Sequence, residues 1–177
     1  MPIRIAILTL AFLSVGAQAQ SPSDPPCQYS SSRRIPFASP TSNDRLTVSI
    51  GSGACHSAKL SFVVVSATGR VLYAYVAPFK KHTATQWDDP SLPEEAREFV
   101  NDLTSRALVP RNQFPTPKPE DQTLEGEATL TVPQGVFKRL VLKGQPMLYH
   151  PTYYEGGQYV MFDPVTRAVR VVAVWGV

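Results

Sequence analysis

The chain has 177 residues, 43% of them hydrophobic and 18% charged, with a formal net charge of +3. That length fits one domain able to bury a core of its own. So small a charge excludes the dense basic stripe that nucleic acid requires.

The opening MPIRIAILTLAFLSVGAQAQ places Arg4 before an apolar run from Ile5 to Val15 and then a small-x-small site, Ala17-Gln18-Ala19. This pattern predicts a secretory signal peptide over residues 1–19, cut before Gln20. The apolar run is too short to span a bilayer comfortably, and no later segment is long and apolar enough to do so. The mature chain is therefore expected in the periplasm of a bacterium or outside the cell. Losing Arg4 leaves a charge of +2, from 16 Lys and Arg against 14 Asp and Glu.

Residues 20–45 contain Pro22, Pro25, Pro26, Pro36 and Pro40 among many serines. They are predicted to be an extended segment with little regular structure, leading into one domain over residues 46–177. The cysteines are Cys27 and Cys55. Two thiols in an oxidising compartment pair, and closing that loop would stabilise the fold by roughly 3 kcal/mol. The rival reading, a Cys55 nucleophile activated by His56, suffers from geometry: adjacent residues of an extended chain point to opposite sides.

Leu46 to Ile50 alternates apolar and polar residues, as a half-buried strand does. Lys59–Val65 and Val71–Val76 flank a turn in which Gly69 can take positive φ, which predicts a hairpin. A helix is expected from near Ser91, where Ser91-Leu92-Pro93-Glu94 fits a capping box. Leu92, Ala96, Phe99, Val100, Leu103 and Ala107 then share one face. Glu94, Glu95, Glu98 and Asp102 form a solvated side, and Asp102 can pair with Arg106 one turn on.

Pro110 to Gln122 reads as a connector that leans to polyproline II at Pro115-Thr116-Pro117-Lys118-Pro119. Beyond it, Ala128–Val132, Val136–Leu142, Met147–Tyr149, Gln158–Phe162 and Arg167–Trp175 read as strands. In the last of these, Val169, Val171, Ala173 and Trp175 are expected on one face. The sum is an α+β fold, mainly antiparallel sheet with one amphipathic helix packed on it.

Chemistry-bearing motifs are scarce. The chain has no GxGxxG, GxxxxGK, HExxH, CxxC or GxSxG, and no cofactor is expected. His56, His82 and His150 lack ligand spacing, so a metal site would need convergence that sequence does not reveal. Asp88 and Asp89 precede Pro90 and read as helix-flanking groups, and Trp87 as a plug of the helix onto the sheet. Lys80-Lys81-His82 forms a basic cluster, as does Arg33-Arg34, suited to an anionic face or to keeping an edge strand soluble. His150-Pro151-Thr152-Tyr153-Tyr154-Glu155-Gly156-Gly157 reads as a glycine-freed loop, where exposed tyrosines would anchor an interface or stack on sugars.

The binding candidates are therefore His150, Tyr153, Tyr154, Lys80, Lys81 and His82. The favoured expectation is a non-catalytic exported domain that binds a protein or an envelope glycan, in the manner of an inhibitor or immunity partner. One alternative is a small envelope hydrolase centred on His82 or His150, with the histidine in a concave pocket. Another is an assembly role, in which an uncharged edge strand adds to a partner's sheet.

Overall fold

The computed structural model describes residues 26–51, 53–86, 89–114 and 128–176. The expected signal peptide, with residues 20–25, Ser52, Trp87, Asp88, the stretch 115–127 and Val177, lies outside the described residues. The first sheet is a meander of four antiparallel strands in chain order, β1 (Tyr29–Ile35), β2 (Asp44–Ile50), β3 (Lys59–Val65) and β4 (Val71–Pro78). Helix α1 (Leu92–Arg106) follows, then the short strands β5 (Leu108–Val109) and β6 (Thr129–Leu130). Helix α2 (Gln134–Leu142), β7 (Met147–Tyr153), β8 (Gly156–Asp163) and β9 (Ala168–Trp175) complete the chain. The second sheet has the order β5-β7-β8-β9-β6, again antiparallel. The fold is α+β with mainly antiparallel sheet.

Period-two alternation explains how the layers meet. Leu46, Val48, Leu60, Phe62 and Val64 point to one side of the first sheet and are fully buried. That side is covered jointly by α1, through Leu92, Ala96 and Val100, and by Leu148, Val160 and Phe162 of the second sheet. Met147, Met161, Val172 and Ala173 face the opposite way and pack with Phe137 and Leu140 of α2. The second sheet is therefore walled on both faces, whereas the first turns Ser30, Ser32, Thr47, Ser49 and Ser61 outward.

Several expectations are corrected here. Residues 29–35 are a regular strand, not an extended segment outside the domain. Asp44 closes its connection to β2, because Oδ2 accepts from the Phe37 and Ala38 N–H groups at 3.1 and 2.7 Å and from the Ser42 hydroxyl at 2.6 Å. Residues 136–142 form a second helix rather than a strand, since Phe137 and Leu140 need helical spacing to reach the same sheet face. There are two sheets rather than one. In β9 a bulge opposite Tyr159 and Val160 separates the expected face, leaving Val169 and Val171 on the inner side and Ala173 and Trp175 on the outer.

The Ser91 capping box does not form: Ser91 makes no side-chain cap bond, and its hydroxyl and N–H both donate to Asp89 Oδ1. Those two bonds hold the Asp89 carboxyl below its usual range. Asp102 and Arg106 do pair, at 2.7 Å. Cys27 and Cys55 are joined in a disulfide with Cα atoms 4.8 Å apart, fastening the start of β1 to the β2–β3 connection. At the far end, Asp163 is fully buried and receives Arg139 at 3.0 Å and Arg170 at 2.9 Å. Burial alone would raise its carboxyl, but the Val165 N–H and the two guanidiniums outweigh this and hold it below the usual range.

Candidate functional site

Two of the candidate segments, Lys80–His82 and His150–Gly157, converge around one residue of β4. Alternation along β4 sends Tyr73 and Tyr75 inward together. The His150 ring lies 4.5 Å from the Tyr75 ring, and the His82 ring lies 6.1 Å from it on another side. The Tyr75 hydroxyl donates to the Thr152 carbonyl at 3.0 Å, tying β4 to the outer end of the β7–β8 hairpin.

His150 is fully buried and not part of an exposed loop. Its Nδ1 donates to the Pro151 carbonyl at 2.9 Å, which leaves Nε2 as an acceptor. The Tyr73 hydroxyl donates to that nitrogen at 2.6 Å, and Gln158 Nε2 approaches both Tyr73 Oη at 2.5 Å and His150 Nε2 at 3.0 Å. Phe62 closes the cluster, its ring 4.8 Å from the imidazole. Burial lowers His150 to about 4, a shift the Pro151 bond only partly opposes. Burial pushes Tyr73 up to about 12. At neutral pH the pair is a neutral imidazole and an intact phenol.

His82 is 4% exposed, so the basic cluster is two lysines rather than three cations. Lys80 and Lys81 occupy a single 3-10 turn after Pro78 and are exposed, while the next residue turns inward against Tyr75 and Phe99. Neither ring nitrogen of His82 finds a hydrogen-bond partner among the described residues. Burial, reinforced by His150 and Lys81, lowers it to about 4. Thr83 and Thr85 beside it donate to the Glu95 carboxylate, fastening this segment to α1.

The two tyrosines of the hairpin divide. Tyr153 is 36% exposed and its ring lies across Gly156, where an added Cβ would collide with it. Gly157 is likewise covered by the Tyr149 ring. Neither glycine takes positive φ, so their role is close approach of an aromatic ring and not freedom to turn. Tyr154 sits at the two-residue tip and is 61% exposed.

A cleft of about 350 Å³ flanks the cluster, lined by Phe99, Asp102, Leu103, Arg106, Tyr149 and Pro151. Its lining includes neither histidine. His56 lies on the exposed turn beside the disulfide, far in sequence from the cluster. Among the described residues no group of three His, Cys, Asp or Glu could hold a metal ion, and no helix is long and apolar enough to cross a membrane. Tyr73, Tyr75 and Gln158 were not singled out from sequence; the available signal was the alternation that puts both tyrosines on one face of β4.

Compared with protein-family models, curated proteins and solved structures, the chain matches none of them.

Proposed function

We infer that this is an exported, non-catalytic domain that binds a protein or a cell-envelope component, in the manner of an inhibitor or immunity partner. The observation that carries the reading is the projecting Tyr154, held on a rigid base. The base is fixed from below by the Tyr75–Thr152 bond and from the side by the Tyr153 ring on Gly156. An aromatic group presented on a preorganised turn loses little conformational freedom on binding. The Cys27–Cys55 disulfide suits an oxidising compartment and so supports export. The buried Tyr73–His150 pair favours a supporting role over a hydrolytic one, because a neutral imidazole bonded to an unionised phenol and enclosed by Phe62 has no open side for substrate.

The test is a crosslinking pull-down from envelope extract. Tyr154→Ala should keep the circular dichroism and melting temperature of the parent yet lose capture. Unchanged capture removes the tip from the reading.

One observation favours a second reading. Among the described residues β4 pairs with β3 alone, and Val71–Pro78 carries no charge, whereas the other edge strand, β1, carries Arg33 and Arg34. The Phe79 N–H bonds the Ala58 carbonyl; stepping by two from that pair along the shared register directs the peptide groups of Ala74 and Val76 toward the open side. Val76 is 58% exposed. A partner strand could add there. Capture lost in Val76→Lys but kept in Tyr154→Ala would move the binding surface from the hairpin tip to this edge.

A further inference from the structure

A second place in the fold collects unmet hydrogen-bonding groups. Where β1, the loop after it, β5 and the α2–β7 connection meet, a cavity of about 460 Å³ opens. Its apolar walls are Pro36, Pro40, Leu108, Phe114 and Pro146, and its polar lining is Arg33, Arg111 and Gln145. Among the described residues each guanidinium is anchored at one nitrogen. Arg33 Nη1 donates to the Ser105 carbonyl at 2.5 Å in the last turn of α1. Arg111 Nη2 donates to the Val141 carbonyl at 3.1 Å near the end of α2. Its Nη1 passes over Gly144, where even a Cβ would stand 3.5 Å from it. A guanidinium has five N–H donors, so several on each have no partner among the described residues.

The two arginines also differ from the four that are ion-paired in the fold. Arg97, Arg106, Arg139 and Arg170 all have carboxylate partners. Among the described residues Arg33 and Arg111 have none, and no acidic side chain lines the cavity they share. Gln145 is 6% exposed, and its Oε1 is buried without a partner among the described residues. The terminal amide torsion of glutamine is soft, so this oxygen can be turned to the cavity wall.

We propose that this cavity binds the free carboxyl-terminal end of a polypeptide. The chemistry of the lining selects that occupant over other anions. The guanidiniums that line the cavity suit the planar carboxylate. The Gln145 oxygen calls for a donor, which the last backbone N–H of a peptide supplies and a fatty carboxylate does not. The proline and Phe114 walls accept an apolar final side chain. The site is separate from the Tyr154 tip, so its failure leaves that reading intact.

Calorimetric titration of the full disulfide-bonded chain tests it with three probes: acetyl-alanyl-leucine with a free carboxylate, its carboxamide, and decanoate. The free acid should bind, and the carboxamide should bind about tenfold more weakly or less, as expected for loss of a charge-assisted bond. Arg111→Gln should erase that acid-over-amide preference, and Gln145→Leu should weaken the dipeptide while leaving decanoate unchanged. Equal binding of acid and amide to the unaltered chain, or no binding of the acid at millimolar concentration, overturns the site. Decanoate binding as tightly as the dipeptide, with Gln145→Leu neutral for both, overturns the peptide assignment. The acid–amide comparison decides the matter even if a variant fails to fold.

Discussion

His82 and His150 lie against the same tyrosine, and burial depresses both to about 4. Their hydrogen bonding is opposite. His150 is engaged at both nitrogens, by Pro151, Tyr73 and Gln158, while His82 has no partner at either among the described residues. Burial alone therefore says little about what a polar group does for a fold. The partners it leaves behind when removed decide the cost.

The largest expected effect comes from acid, which acts on both histidines together. Each is neutral in the fold and titrates near 6.5 once unfolded, so the unfolded chain takes up protons first. Stability should be fully present above about pH 6.5 and fall steadily toward pH 4, by up to about 1.4 kcal/mol per pH unit for each histidine. Asp163, held below the ordinary carboxylate range, loses its contribution only at lower pH, so that window belongs to the histidines. Urea unfolding at a series of pH values measures the slope, and a flat profile would contradict the neutral buried rings.

Next in size is His150→Leu at neutral pH. It leaves the Tyr73 O–H without its acceptor, while Gln158 still donates to the Tyr73 oxygen, and should cost about 2 kcal/mol, read as a lower urea midpoint at unchanged m-value. His82→Leu should have the smallest effect and the opposite sign, a gain of about 1 kcal/mol from removing two unmet ring nitrogens. Each variant should also reduce the acid slope by one histidine's share. A substantial loss of stability in His82→Leu at neutral pH would mean that the two rings are equivalent after all.

Much of this arrangement was legible in the residues, and the gaps have physical reasons. Strands β2, β3 and β4 and the buried stripe of α1 follow from clear periodicity, and the disulfide from compartment chemistry. Strand β1 was hidden because Ser30 to Arg34 shows no apolar alternation; it is a strand through its pairing with β2 and its contact with α1. Helix α2 was hidden because Val136–Leu142 is dense in branched residues, and only the packing of Phe137 and Leu140 against the second sheet decides the matter. At the site, Tyr154 is exposed as the loop reading expects, whereas His82, read with a basic cluster, and His150, read with that loop, are buried. Their burial depends on Tyr75, Phe99 and Phe62 meeting them from distant parts of the chain, which no local pattern encodes.

The walling of the second sheet on both sides has a consequence for how this molecule can meet others. Strand β8 has its neighbours β7 and β9 at its flanks, the first sheet and α1 below it, and α2 above. Among the described residues, every side of it is already occupied and none is left over for recognition. Contact with the outside world is thereby pushed to the margins of the architecture: hairpin tips, open strand borders, the serine-lined outer plane and the seams between layers.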